Sequence, residues 1–131
     1  MISALRAELA ALITGALPNF PVHRWLPEDT PELPCAVVGR PALEVDPDAA
    51  TAVLASTTVT VVGRRYTSDG AQEELDDTCW AVLQAYNFLR GMHTATVQRL
   101  NVSNVLPDLV SIAGDEYPCY LCEVQAHLIA C

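Results

Sequence analysis

The chain contains no lysine. Its seven basic residues are all arginines, set against sixteen acids, and the net charge is −9. An acidic surface repels nucleic acid at long range, which disfavours a DNA-wrapping role. Glycine is scarce and scattered: the six glycines build no phosphate-cradling loop of either common type. Aromatic residues are few, and Trp25, Tyr66, Trp80, Tyr86, Phe88, Tyr117 and Tyr120 are not interleaved with bases. Packing in a core or interface explains them better than base stacking. No apolar run approaches the ~20 residues of a membrane span. The N-terminus has no basic region followed by an apolar block, so no secretory leader is expected. The five cysteines (Cys35, Cys79, Cys119, Cys122, Cys131) are odd in number and irregular in spacing. They read as buried free thiols of a reducing cytosol.

What is present is hydrophobic: 51% of 131 residues. That argues against disorder. The length suits one domain, residues 1–131, able to bury roughly two thirds of its unfolded surface.

Ser3–Ala16 reads as an amphipathic helix, with Leu5, Leu9, Leu12, Ile13 and Ala16 on one stripe and Arg6, Glu8 and Ala10 largely off it. Six of the nine prolines fall between Pro18 and Pro41, a density that excludes helix and long strand there. Val22–Trp25 is a candidate short strand, and the 27–34 stretch an acidic surface loop. Cys35–Val45 reads as a strand interrupted by Pro41, hence an edge or bulge. After a turn at Asp46-Pro47-Asp48, Thr51–Gly63 reads as a long return strand with Val53, Ala55, Thr57, Val59 and Val61 on one face. The small residues of its first half suggest a hairpin that projects from the domain. Asp69 marks the start of a second helix. Gln72 stands in capping-box spacing, acids fill the first turns, Leu75, Cys79, Val82, Tyr86 and Leu89 make an apolar stripe, and Gly91 is a C-terminal cap. Strands follow at Ala95–Val102 and Val105–Ala113. A turn at Gly114-Asp115 leads to a final strand, Tyr117–Cys131. On it Tyr120, Cys122, Val124, Ala126 and Leu128 alternate with Glu123, Gln125 and His127. The expected fold is α+β: a mostly antiparallel sheet with two helices packed on one face, in the order α-β-β-β-α-β-β-β, with a long projecting hairpin.

Few residues suggest chemistry. Cys119 and Cys122 form a CxxC, but inside an alternating strand they point to opposite faces with Cα atoms about 10 Å apart. A disulfide needs about 4.4–6.8 Å. A zinc half-site here lacks its second half, since His127 lies about 26 Å along the strand from Cys119. Glu73, Glu74, Asp76 and Asp77 do not converge on one point and read as charge favoured at a helix N-terminus. No serine lies in a nucleophile elbow, and His23, His93 and His127 are scattered. No catalytic residue, cofactor or metal is therefore expected. Arg64-Arg65, the one adjacent basic pair, reads equally as a partner for the following acids or as half of an intersubunit ion pair.

The order of elements resembles that of the tail terminator (tail completion) proteins of long-tailed bacteriophages and their relatives among head–tail joining and neck proteins. The likeness rests on the helix Ser3–Ala16, the proline-rich passage into Cys35–Gly39, the hairpin Cys35–Gly63, the strand-to-helix unit Val59–Arg90 and the final hairpin around 114–118. It is topological and spans nearly the whole chain. It implies a non-enzymatic virion protein at the tail–neck junction, assembled in the host cytoplasm as a homohexameric ring. Such a ring caps the tube of major tail protein, ends its polymerisation and meets the head-side connector or neck protein. DNA passes through its pore without specific binding. Six copies at −9 each would carry −54, which suits such a pore. By position, the contacts to the tube or a neighbouring subunit would involve Asp46, Asp48, Thr51, Val53, Leu54, Arg64, Arg65, Glu28 and Asp29. Alternatives are a connector or neck protein, a tube subunit or, in another class, a small cytosolic ligand-binding domain.

Overall fold

The computed structural model describes residues 2–24, 32–45, 52–65, 69–86 and 97–129. Their order is α1 (Ile2–Ala16), β1 (Val22–His23), β2 (Cys35–Val38), β3 (Ala42–Val45), β4 (Ala52–Val62), α2 (Asp69–Ala85), β5 (Val97–Ile112) and β6 (Asp115–Ile129). The fold is α+β. Six strands form one sheet in the order β1-β2-β4-β6-β5, with β3 paired to β4 beside β2. Every pairing is antiparallel except β1 with β2.

Two helices cover one face of this sheet, as their stripes require. Leu5, Leu9 and Ile13 of α1 are buried, as are Leu75, Cys79 and Val82 of α2 and Tyr86 just beyond its end. They pack on Ala36, Val38, Ala55, Val59, Val61, Cys122, Val124, Ala126 and Leu128. The inward sets of β4 and β6 are the ones that period-two alternation selects. Ala16, placed on the α1 stripe, is exposed instead. Arg6, placed off the stripe, is only 7% exposed. Its guanidinium donates to the carbonyls of Arg24 and Val38. It binds α1 to the β1–β2 edge, and its aliphatic stem accommodates the burial.

The distribution of strands differs from the sequence reading. Four strands precede α2 and two follow it. The stretch 35–45 divides into β2 and β3 around Gly39-Arg40-Pro41. Both halves pair with β4, Cys35–Val38 with Val59–Val62 and Ala42–Val45 with Val53–Ser56. At the break, Gly39 N donates to Thr58 O (2.9 Å) and Thr57 Oγ1 donates to Gly39 O (2.8 Å). A Cβ at Gly39 would stand 2.7 Å from Thr58 O, so only glycine allows this approach.

Conversely, the two strands expected after α2 merge into one sixteen-residue strand, β5, that runs through Pro107. It absorbs irregularities between Val97 and Arg99 and between Val102 and Asn104. Proline is tolerated because β5 is an edge strand and Pro107 turns its nitrogen outward. The β5–β6 turn is Ala113-Gly114, one residue earlier than expected. Its φ values of 54° and 84° suit a two-residue hairpin loop with the twist of its strands.

The 42–56 hairpin is present, but its β4 arm does not project free. All eleven residues of β4 pair with β6, from Ala52↔Ile129 to Val62↔Cys119. Small residues at Ala55 and Ala126 let α-helical side chains approach the sheet and are fully enclosed in the main core. Of the expected hairpin tip, Asp46, Asp48 and Thr51 lie outside the described residues, as do Leu89 and Gly91, whereas Val53 and Leu54 are part of β4.

A second, smaller core lies on the opposite face of the sheet. Cys35, Val37, Val62, Ile112, Tyr117 and Cys119 are buried there, with Leu33, Val110 and Leu121 packed against them.

Candidate functional site

The polar side chains worth attention gather around the N-terminal half of α2. Glu74 accepts from Arg64 Nε at 2.8 Å, joining the end of β4 to the helix. Arg65 Nη1 lies 3.4 Å from Asp115 Oδ1, joining the same junction to the β5–β6 turn. Tyr120 donates its hydroxyl to Asp76 Oδ1 at 2.7 Å, joining β6 to α2. The Asp76 carboxylate raises the phenol's pKa above its ordinary value, chiefly through that hydrogen bond. A carboxylate that accepts from the neutral phenol disfavours its ionisation. Arg64 and the Tyr120–Asp76 contact border a groove of about 270 Å³ between α2 and the β5–β6 edge, lined also by Leu75, Pro107 and Asp108 among others. Its size falls below the usual ~300–1,000 Å³ of a small-molecule site.

A second depression, about 400 Å³, opens at the β2–β3 break among Arg40, Ser56, Thr58, Glu123 and Gln125. It belongs to the outer face of the sheet, where Ser56, Thr58, Thr60, Glu123, Gln125 and His127 alternate with the inward residues. Glu123, Gln125 and His127 are exposed there.

The residues expected at an interface fall only in part among the described residues. Asp46, Asp48, Thr51, Glu28 and Asp29 lie outside the described residues. Val53 sits on the helix side of β4 and packs against the main core. Leu54 stands on the outer face between Glu44 and His127. Arg64 and Arg65, both exposed, make the intrachain ion pairs above.

Cysteine and histidine positions follow the strand geometry. Cys119 belongs to the outer cluster and Cys122 to the main core, so the CxxC does point to opposite faces. Among the described residues no group of three or more His, Cys, Asp or Glu side chains could hold a metal ion. His23 has a buried Nε2 with no hydrogen-bond partner, His127 is exposed, and His93 is outside the described residues. No helix among the described residues is long and apolar enough to cross a membrane.

One pairing escapes the linear sequence. Cys79 Sγ of α2 lies 4.0 Å from Cys122 Sγ of β6, both buried. The Cys122 thiol can donate to a Cys79 thiolate, which lowers the Cys79 pKa, whereas the same contact and burial raise that of Cys122. The signal was available in part: Cys79 belongs to the apolar stripe of α2, and Cys122 to the inward set of β6. Their register across the interface was not.

Exposed apolar side chains complete the surface. Trp80 on α2 is 52% exposed, and Leu106 and Leu109 on β5 are 45% and 60% exposed. No protein-family model matches the chain, and no curated protein matches it significantly.

Proposed function

We propose that this chain is a ring-forming structural protein of a long-tailed bacteriophage, acting at the tail–neck junction as a terminator of the tail tube. The observation that favours an architectural role is the division of surface on the sheet. Both helices occupy one face, while the outer face carries Ser56, Thr58, Glu123, Gln125 and His127 in regular alternation. Such a domain offers neighbours a broad strand face and a helix edge, and the groove beside α2, at about 270 Å³, is smaller than the usual ~300–1,000 Å³ of a small-molecule site. Acidity adds support: a net charge of −9 per chain suits a pore that passes DNA without retaining it. The resemblance in element order supplies the particular assembly: a homohexameric ring, a tube of major tail protein on one side and a connector or neck protein on the other.

Size-exclusion chromatography with light scattering, alone and with purified tail tubes, tests the reading. The expected result is a closed ring, or a monomer that forms one at the tube end and blocks further growth. A stable monomer that never engages a tube end would overturn it. Negative-stain microscopy separates the nearest alternative, because a tube subunit polymerises spontaneously whereas a terminator stops at one ring.

A further inference from the structure

The outer edge of β5 is the longest strand edge in the sheet, and along its stretch from Val105 to Leu109 the outward N–H groups are unavailable. Which groups face outward follows from the register. Gly63 N donates to Pro118 O, so Pro118, Tyr120 and Cys122 direct their backbone groups toward β4. The residues opposite them on β5 are Leu109, Pro107 and Val105. In an antiparallel ladder these partners turn their own N–H and C=O groups away, to the free edge.

All three edge positions lack an available N–H. The Val105 amide donates to Asn104 Oδ1 (3.0 Å). Pro107 has no amide hydrogen. The Leu109 amide donates to Asp108 Oδ1 (2.7 Å). Further along, Leu100 also faces outward. With the Asn101 amide turned to suit its neighbours, its nitrogen donates to Leu100 O (3.3 Å). Between these stretches the register shift after Val102 interrupts the edge, and the Ser103 hydroxyl turns inward to Glu123 O (3.2 Å).

An added strand needs alternating donors and acceptors at regular spacing. An exposed long edge flanked by apolar side chains such as Leu106 and Leu109 would otherwise template one. We infer that the outer edge of β5 is closed to strand addition along Val105–Leu109, so that copies of this chain do not associate by continuing the sheet through that stretch. The device is local: each cap is supplied by the residue immediately before the amide it occupies, and the remaining position is a proline. The inference goes beyond the ring reading and is independent of it. A chain that binds no tail tube leaves it intact.

The test replaces the caps while keeping charge and polarity: Asn104→Gln, Pro107→Thr and Asp108→Glu together. The longer side chains of Gln and Glu do not close the same tight ring onto the next amide, and Thr restores a donor at 107. Light scattering across a concentration series, with backbone amide exchange, reads the result. The expected outcome is a weight-average mass at least double that of the parent chain at equal concentration, with the amides at 105, 107 and 109 protected in the associated form. A folded variant with the parent's mass overturns the inference. So does association in which those three amides remain unprotected, since that would be general adhesion. The three substituted residues, Asn104, Pro107 and Asp108, are all exposed. Should the triple variant fail to fold, the single Pro107→Thr chain carries the same two readouts, with protection at 107 in an associated form expected and its absence decisive against.

Discussion

Cys79 and Cys122 place their sulfur atoms 4.0 Å apart inside the interface between α2 and β6. The contact joins the helix to the strand that pairs with both β4 and β5, at a point fully enclosed by the main core. Cys122→Ala leaves a small void and removes the thiol partner of Cys79, and is expected to cost about 1–2 kcal/mol. The two alanine substitutions should be non-additive by about 0.5 kcal/mol or more, as for contacting residues generally. Urea unfolding of both single variants and the double variant measures this. Strict additivity would mean that the sulfurs do not interact.

Alkaline pH should weaken the fold through the thiols of the smaller core. Burial pushes both Cys35 and Cys119 from 9.0 up to about 11. Below pH 9 each is a neutral thiol in both the folded and unfolded chain, and its contribution is intact. As pH rises from 9 to about 11 the unfolded chain ionises first and is favoured, so stability falls. Melting temperature recorded across that window should decline, and a Cys35→Ala, Cys119→Ala chain should show a flatter profile. An identical profile would assign the loss to other groups. Tyr86, whose burial also raises its pKa from 10.0, adds to the loss above pH 10.

Hydrogen bonds from two buried side chains hold α1 in place. Tyr86 donates its hydroxyl to Leu9 O at 3.0 Å, and Tyr86→Phe is expected to cost about 1 kcal/mol. Arg6 reaches the carbonyls of Arg24 and Val38. Arg6→Met leaves both without that donor and should cost roughly 2–3 kcal/mol. Arg6→Lys should recover only part of it, because an ammonium lacks the planar fork that spans two acceptors. Denaturant midpoints at constant m-value report these changes, and full recovery with lysine would contradict the geometry.

The strand break depends on Gly39. Gly39→Ala drives a methyl to within 2.7 Å of a backbone oxygen, which cannot yield without moving β4. A loss of about 1–3 kcal/mol is expected. In Gly63→Ala the atoms nearest the added methyl belong to the Leu75 side chain, the first at 3.0 Å, and a small shift relieves the contact. Thermal melts should therefore rank Gly39→Ala as the more damaging. The opposite order would show that β2 and β3 do not need the close approach at 39–58.

Removal of residues 46–54 should lower the melting temperature and not simply prevent assembly. Ala52, Val53 and Leu54 pair with Ile129, Leu128 and His127 of β6, and Val53 and Leu54 also pair with Val45 and Glu44 of β3. A shortened chain that melts like the parent would restore the projecting arm that the sequence suggested.

Much of the inward set was legible because it depends on local period alone. Val59 and Val61, Cys122 to Leu128, and the α2 stripe are selected by spacings of two and of three to four residues, whatever they pack against. The candidate interface was much less legible. Arg64 and Arg65 could be identified as an adjacent basic pair, but their partners Glu74 and Asp115 lie ten and fifty residues further along the chain. The caps on β5 were not legible because Asn104 falls between two expected strands and no local spacing shows that this strand lies at the edge of the sheet.

The sequence by itself determined the two helices, the alternation of β4 and β6, the opposite faces of Cys119 and Cys122 and the acidic balance, since each is a property of neighbouring residues or of their sum. Only the tertiary structure decided that Arg6 is buried, that 97–112 is one strand through Pro107, that Cys79 meets Cys122, and that the β4 arm is paired along its whole length. Those outcomes depend on which strand lies at an edge and which residues distant in the chain come into register. Sheet order and helix placement set that, and no local spacing encodes it.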